Sequence, residues 1–182
     1  SSTLPSLTPA ATLAVAAGGR ARRRLLVCGP SNAAVDEIVS RLLVDGLIDG
    51  KNGRRRELKG KTAFERSPLI RLGPTDSDKM AVTSRAVALD YLANLRIDAA
   101  VASSKKERVR EGGNNGYQRE QVKERLLFDA EIVCATLAGA GMEFLIANTN
   151  EKSTSSLPLF DALIVDEATQ ATEPELLVAL QH

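Results

Sequence analysis

The chain has 182 residues, of which 43% are hydrophobic and 26% are charged, and its formal net charge is +1. This length and composition are typical of a globular domain that buries a hydrophobic core. No apolar stretch reaches the roughly 18 residues that a transmembrane helix needs, so we expect no membrane partner. The first residues lack the basic start and long apolar centre of a secretion signal. Their Ser, Thr, Ala, Pro and Gly content predicts a flexible linker over residues 1–20.

The two cysteines, Cys28 and Cys134, each lie inside an apolar run that is typical of a strand. This placement predicts buried, reduced thiols rather than a disulfide framework. Reduced thiols are typical of a cytosolic or nuclear protein.

The charges are unevenly distributed along the chain. Residues 51–71 carry eight Lys or Arg against two Glu, whereas residues 143–175 carry seven acids against one Lys. Two interpretations remain open: a polyanion track beside a metal site, or a solvated loop and a solvated helix. Charge alone favours the second.

The first strand and helix are predicted in the stretch RRRLLVCGPSN and the residues after it. A short strand is expected at 25–28, followed by a turn and a helix that begins near Asn32. Apolar residues then recur at helical spacing, with Asp36 and Glu37 in the first turn. Gly46 is expected to end the helix. A polar loop, DGKNGRRRELKGK, follows.

The middle of the chain, about residues 84–128, has the apolar spacing of helices rather than strands. Gly112 to Gly116 divides it, which predicts a helical hairpin packed outside the sheet. A basic run at 105–110 either contacts phosphate or forms a solvated helix face, and the second interpretation is favoured.

Three further strands are predicted near 69–72, 131–135 and 160–165, and a last helix begins at Pro174. The strands are apolar throughout and alternate with helices, which indicates an α/β fold with a parallel sheet covered on both faces. The groups GPSN, TLAGAG and DEATQ follow directly after three of these strands. Ligands bind beyond the carboxyl ends of such strands, so we expect all three groups on one edge.

Two adjacent carboxylates, Asp166 and Glu167, follow the last strand. An Asp at this position can hold Mg²⁺ against nucleotide phosphates, and a following acid can polarise the attacking water. The alternative is that the pair caps the next helix, whose start Glu173 and Glu175 favour.

The chain resembles the superfamily 1 helicases of the senataxin and nonsense-mediated-decay type. VDEATQATEPE resembles their motif II, LVCGPSNAAVDEIVSRL their motif Ia, and AEIVCATLAGAG their next nucleic-acid motif, in the family's order. LIRLGPTDSDKM is similar to the senataxin-type segment between them. The resemblance covers roughly residues 25–180. It implies a RecA-like P-loop NTPase core, with residues 21–182 as a partial first RecA-like domain and a helical insertion at about 84–128.

By that resemblance, Asp166 binds Mg²⁺ and Glu167 orients or deprotonates the water that attacks ATP. Gln170 is expected near the nucleotide, where it helps couple ATP to the strand. The positions expected on the backbone of single-stranded RNA or DNA are Pro30, Ser31, Asn32 and Thr136. From the residues alone, a helix cap at Asn32 and a strand-end hydroxyl at Thr136 remain the alternatives.

The phosphate-binding motif GxxxxGK[ST] does not occur in the 182 residues. GKT at Gly60 to Thr62 follows no strand and lacks the upstream glycine. We therefore expect the chain to begin after that loop and to stop before a second RecA-like domain, its expected partner. The parent protein is then an ATP-dependent helicase, nuclear or cytoplasmic, with nuclear favoured, and the isolated chain is inactive. The alternatives are a non-catalytic nucleic-acid-binding or regulatory remnant and an unrelated Mg²⁺-dependent NTPase.

Overall fold

The computed structural model describes residues 23–48, 52–58, 67–74, 82–103, 115–141 and 160–181. The predicted linker at 1–20 and the basic run at 105–110 lie outside the described residues.

The strands of the structure are short and alternate with helices. They are β1 Leu25–Gly29, β2 Leu47–Ile48, β3 Arg55–Arg56, β4 Leu69–Arg71, β5 Ile132–Thr136 and β6 Ala162–Val165. Four of them form one sheet in the order β4-β5-β1-β6, and all its pairs are parallel. The predicted α/β fold with a parallel sheet is confirmed, and the strand ends differ from the expected ones by one or two residues.

The helices are α1 Asn32–Asp45, α2 Val82–Arg85, α3 Leu89–Ser103, α4 Asn115–Asp129, α5 Leu137–Ala140 and α6 Glu173–Ala179, with a 3₁₀ turn at Ala168–Gln170. None of these helices is long and apolar enough to cross a membrane.

The described middle of the chain is mainly helical, with the exception of the turn between α2 and α3, where Ala88 forms an isolated parallel bridge with Arg71 of β4. Helix α3 packs against α4. That this pair is an insertion into a larger domain stays a prediction. The expected turn was placed too far along the chain, because Gly116 already lies within α4. One glycine costs a helix only about 1 kcal/mol, and the helical spacing of the residues that follow outweighs it.

The polar loop expected after α1 contains β3, one of the two strands of a short antiparallel ribbon, so the prediction of a plain loop was wrong. Gly46 ends α1 as predicted, with a positive φ of 66°, and the chain turns at once into β2, which pairs with β3. Two bonds from the Arg56 guanidinium to the Glu131 carboxylate, of 3.1 and 2.5 Å, tie the ribbon to the sheet. Leu58 is fully buried beside it. The polar composition hid this ribbon because backbone pairing and a charge pair hold it.

Alternate residues of the strands face opposite sides of the sheet, and each side has its own core. The core beneath α1 contains Val27, Val35, Val39, Leu58, Leu69, Val87, Ile132 and Cys134. The core on the other side includes Leu26, Cys28, Ile70, Leu126, Val133, Leu137, Phe160 and Ala179. The prediction that both faces are covered is therefore confirmed for the three strands β4, β5 and β1.

Strand β6 departs from that pattern. It lies at the edge of the described sheet, and Ile164 is 51% exposed. Its apolar composition therefore predicted more burial than the described helices supply.

Both cysteines are buried and free, as predicted. Burial raises the pKa of the Cys28 thiol to about 11 and that of the Cys134 thiol to about 12. Both thiols are therefore protonated at neutral pH.

Leu26 of β1 offers a test of this packing, since only 1% of it is exposed. Leu26→Ala should lower the free energy of unfolding by about 2–5 kcal/mol, because it leaves a cavity in the core. Urea denaturation measures the loss. The matched control is Leu177→Ala on α6, where the leucine is 57% exposed and the change should stay within about 0.5 kcal/mol. Equal losses for the two variants would contradict the assignment of Leu26 to the core.

Candidate functional site

Three strands of the sheet end at the same level of one edge. Gly29, the last residue of β1, is in register with Thr136 of β5, and Cys28 is in register with Val165 of β6. The backbone N–H of Asp166 then donates to the carbonyl of Cys28 at 2.8 Å. The groups GPSN, TLAGAG and DEATQ therefore leave the sheet side by side.

A cavity of about 300 Å³ opens at this edge. Five of the predicted site residues line it: Pro30, Ser31, Asn32, Thr136 and Gln170. Asp166 and Glu167 do not line it, and both are exposed at the adjacent end of β6. Gln170 thus lies with the expected nucleic-acid residues rather than with the carboxylates. The cavity lining also includes Leu137, Ala138, Ala171 and Glu175, which the sequence did not single out as site residues.

Ser31 is the residue that caps α1. Its Oγ accepts a hydrogen bond from the backbone N–H of Ala34 at 3.2 Å, and Asn32 is the first helical residue. The alternative of a cap at Asn32 was therefore wrong by one position. No acidic residue lies in the first turn, so the placement of Asp36 and Glu37 there was also wrong. No acidic side chain of the first turn therefore compensates the partial positive charge of this helix end, which favours a bound anion there.

Thr136 ends β5 and at the same time caps α5. Its Oγ1 accepts from the backbone N–H of Gly139 at 2.9 Å. A Cβ at Gly139 would lie 2.8 Å from that oxygen, and a Cβ at Gly141 would lie 2.6 Å from the side chain of Val178 on α6. The small residues of TLAGAG therefore allow the cap and the close packing of α5 on α6.

The capping oxygens of Ser31 and Thr136 are engaged as acceptors, which leaves each hydroxyl its O–H as a donor. Both side chains line the same cavity. Two hydroxyl donors beside the amino-terminal end of α1 suit an oxyanion such as a phosphate.

A buried charge pair lies behind Asn32. The Nε of Arg71 donates to Oδ1 of Asp36 at 3.1 Å, with side-chain exposures of 1% and 11%. The other guanidinium nitrogens donate to Oδ1 of Asn32 at 3.0 Å and to the carbonyl of Pro74 at 3.2 Å. Removing one partner of a buried pair costs about 3–5 kcal/mol, so this contact also supports the fold. Sequence reasoning missed it, because its partners are 35 residues apart and no local pattern joins them.

Glu167 has φ 50°, and it is the one non-glycine residue with a positive φ in the part of the chain that the structure describes. A left-handed backbone at such a residue costs of order 1–3 kcal/mol and is concentrated at functional sites. The side chain makes no capping hydrogen bond. The next helix is capped instead by Thr172 with Glu175, so the interpretation of the carboxylates as a helix cap was wrong.

The side chains of Asp166 and Glu167 accept no hydrogen bond from any residue that the structure describes. Over the same residues, no group of three or more His, Cys, Asp or Glu side chains could enclose a metal ion. Mg²⁺ usually needs only one or two protein carboxylates, because water and substrate phosphates complete its octahedral shell. An exposed, unpaired Asp166 fits such a shared site and does not fit a closed structural one.

Glu175 links the site to α6. Its carboxylate accepts hydrogen bonds from the backbone N–H and the hydroxyl of Thr172, both at 2.9 Å. These bonds lower the pKa of the Glu175 carboxyl below its ordinary value of 4.5. The pattern Thr-x-x-Glu was visible in the sequence as a capping box.

This lowered pKa predicts how stability depends on pH. Because the folded state favours the ionised carboxylate, its contribution is present above pH 4.5 and is lost as the pH falls through the lower folded-state pKa. Glu175→Gln should therefore lower the melting temperature at neutral pH, and the gap from the unsubstituted chain should close in acid. Thermal unfolding followed by circular dichroism over pH measures both. Glu173→Gln, in the same turn, is the control and should show a smaller gap. A Glu175→Gln gap that is independent of pH would contradict the prediction.

The chain is similar to known proteins over most of its length. A family described as an AAA domain matches residues 2–115 and 102–182. A probable helicase of Dictyostelium discoideum is 34% identical over 91% of the chain. A homolog of regulator of nonsense transcripts 1 from Neurospora crassa is 29% identical over 86%, and the probable helicase senataxin of Mus musculus is 24% identical over 88%. The chain spans 16%, 12% and 8% of the length of these three relatives.

Proposed function

The chain belongs to the AAA-domain family, and from this premise we propose that it forms part of the first RecA-like domain of an ATP-dependent helicase. Relatives named as helicases support a helicase-type function. In the proposal, Mg·ATP hydrolysis is coupled to movement along, or unwinding of, single-stranded RNA or DNA. The observation that carries it is the convergence of three strand ends, which sets hydroxyl and amide donors beside two unpaired carboxylates.

The cavity residues are assigned to the nucleic acid. Ser31 and Thr136 offer O–H donors, Asn32 offers an amide, and Pro30 shapes the turn that carries them. All of them line one cavity. Phosphate and sugar contacts of this kind hold a strand in place without reading its sequence, as a motor that moves along a strand requires.

The carboxylates are assigned to the nucleotide. Bound Mg²⁺ neutralises phosphate charge during transfer. We assign Asp166 to hold the ion, since its carboxylate is exposed and forms no hydrogen bond with the described residues. Glu167 follows directly, with a left-handed backbone of φ 50°. We assign it to orient or deprotonate the attacking water.

Gln170 is assigned to couple the two groups. Its backbone N–H donates to the carbonyl of Glu167 at 2.8 Å, while the residue itself lines the cavity. A shift of Glu167 on hydrolysis would therefore reach the cavity wall within one 3₁₀ turn. The further partner in this proposal is a second RecA-like domain, and the location is nuclear or cytoplasmic, with nuclear favoured.

A second candidate function is a non-catalytic nucleic-acid-binding or regulatory remnant. The specific observation in its favour is that the 182 residues contain no GxxxxGK[ST], whose Lys and hydroxyl grip the phosphates and Mg²⁺ in the motors of this kind. This second candidate keeps the assignment of the cavity to nucleic acid and gives the two carboxylates no catalytic role. Assays of nucleic-acid binding and of ATP turnover in the full-length protein separate the two.

The cavity assignment predicts that charge at position 31 controls binding. Asp and Asn cap helices as well as Ser does, so Ser31→Asp and Ser31→Asn should keep the melting temperature. Like charges brought together cost several kcal/mol, so Ser31→Asp alone should weaken binding of a fluorescein-labelled oligouridylate at least about tenfold in an anisotropy titration. Ser31→Ala should cost about 0.5–2 kcal/mol of stability. Equal affinities for the Asp and Asn variants would argue against a phosphate at this position.

The carboxylate assignment predicts two different defects in the full-length protein. Glu167→Gln should leave nucleotide binding largely intact while stopping hydrolysis, because the shape is kept and the charge that activates water is lost. Asp166→Asn should weaken Mg²⁺ binding, because the ion loses its carboxylate partner. ATP turnover and Mg·ATP affinity measure the two effects.

The same changes in the isolated chain serve as the control, and neither should matter there, because a lysine-bearing phosphate loop is needed to hold the nucleotide. Tight ATP binding by residues 1–182 alone would contradict that expectation. Normal turnover by the Glu167→Gln full-length protein would exclude the catalytic role.

A further inference from the structure

Arg71, at the end of β4, determines which atom of Asn32 faces the cavity. Its Nη2 lies 3.0 Å from the side-chain oxygen of Asn32. A guanidinium has five donors and no acceptor, so only the oxygen of an amide can bond to it. The NH₂ group of Asn32 is therefore the end of the amide that is turned away from Arg71.

Arg71 is itself held in place on every side. Only 1% of it is exposed, and its other nitrogens donate to Asp36 and to the carbonyl of Pro74. The backbone closes over the pair at Gly73, which has φ 125°. A Cβ there would lie 2.6 Å from Nη1 of Arg71 and 3.3 Å from Oδ1 of Asn32. Three hydrogen bonds hold the guanidinium, and the amide of Asn32 cannot flip without losing its partly buried hydrogen bond to Arg71.

Two hydroxyls beside Asn32 can also donate, whereas the Glu175 carboxylate, which lines the same cavity, is an acceptor engaged by Thr172. Asn32 is exposed and lines the cavity with Ser31 and Thr136. No residue that the structure describes accepts a hydrogen bond from the Asn32 amide nitrogen. The hydroxyl oxygens of Ser31 and Thr136 each accept one backbone N–H, and their O–H groups remain available to donate. These three side chains therefore present donors.

Building on the proposed function, we propose that Arg71 is a positioning residue that fixes the Asn32 amide with its NH₂ toward the strand. The group that Asn32 recognises is then an acceptor, a backbone phosphate oxygen of the bound RNA or DNA. An amide free to rotate could equally accept from the donor groups of bases. A fixed NH₂ group can only donate, and phosphate oxygens are the acceptors that every sequence shares. An abasic strand distinguishes them from the acceptors of bases.

The first test replaces the donor without disturbing Arg71. In Asn32→Asp a carboxylate oxygen still accepts from Arg71, so the melting temperature should be kept, but the NH₂ becomes a negative oxygen. Affinity for a fluorescein-labelled oligouridylate should fall at least about tenfold. Asn52→Asp is the matched control. It adds the same charge at an exposed position where the oxygen also accepts a hydrogen bond, from Arg54 N at 2.9 Å, and it should not alter affinity by more than about twofold. Unchanged or tighter binding by Asn32→Asp would overturn the proposal.

The second test asks whether Arg71 acts through Asn32. Arg71→Lys keeps a positive charge beside Asp36, but a single ammonium cannot reproduce the planar fork that serves three acceptors. It should weaken binding of the oligouridylate several-fold in the presence of Asn32 and have no further effect in an Asn32→Ala background. Equal losses in both backgrounds would overturn the positioning role. Because the Asn32→Asp arm leaves Arg71 intact, it keeps the assignment of the Asn32 donor falsifiable even if Arg71→Lys fails to fold.

The third test separates phosphate from base and this inference from the proposed function. On an abasic oligonucleotide, which keeps the phosphates, Asn32→Asp should lose the same factor in affinity. A loss confined to strands with bases would overturn the phosphate assignment.

In ¹⁵N NMR spectra of the unsubstituted chain, the oligonucleotide should shift the side-chain amide peaks of Asn32, and Arg71→Lys should reduce that shift. No binding by the folded, unsubstituted chain would refute the proposed function itself, whereas binding that is sensitive to Ser31→Asp but not to Asn32→Asp would refute only this inference.

Discussion

Strand β1 pairs in parallel with β5 on one side and with β6 on the other, and every candidate residue depends on that double pairing. Because parallel strands place their carboxyl ends at one edge, three polar groups far apart in the chain meet there. Gly29 beside Thr136 and Cys28 beside Val165 set this register. A slip by one residue would move each side chain to the opposite face, so the two buried cores that hold the register also hold the site.

In the proposed function, the same polar atoms at this edge serve stability and recognition. Ser31 and Thr136 begin helices with their oxygens, and their hydrogens remain for a ligand. Arg71 balances the buried charge of Asp36 and orients Asn32. Substitution to alanine therefore confounds the two roles at each position. Isosteric changes of charge, which keep an oxygen in place, separate them.

The sheet, its direction and the position of its polar edge could be predicted from the sequence, because short apolar runs, helical spacing and strand-end motifs are local patterns. The exceptions are interactions between distant residues. The local sequence around Asp36 predicts a residue of the first helical turn, whereas in the structure Asp36 forms a buried ion pair with Arg71. Arg71 was read as one residue of an apolar strand, although it is the largest fully buried side chain described. The left-handed backbone at Glu167 could not be predicted from its residue type, because a positive φ is uncommon for any residue but glycine.

The motifs of the resemblance named five of the residues that line the cavity, but not their arrangement in it. Gln170 lies with the hydroxyls rather than with the carboxylates, because one 3₁₀ turn carries the chain from β6 across to α5 and α6. Glu175 lines the same wall through its capping role. Such placements depend on how a turn is wound, and composition does not encode that.

The two thiols lie on opposite faces of one sheet, Cys28 in the core to which α3 to α6 contribute and Cys134 in the core beneath α1. Only a thiolate is nucleophilic, and burial keeps both protonated. An alkylating reagent therefore reaches each sulfur only when the layer above it opens. The alkylation rate of each thiol therefore reports how often the layer that covers it opens. Comparing the two rates would show whether α1 and the helices on the opposite face open together or separately.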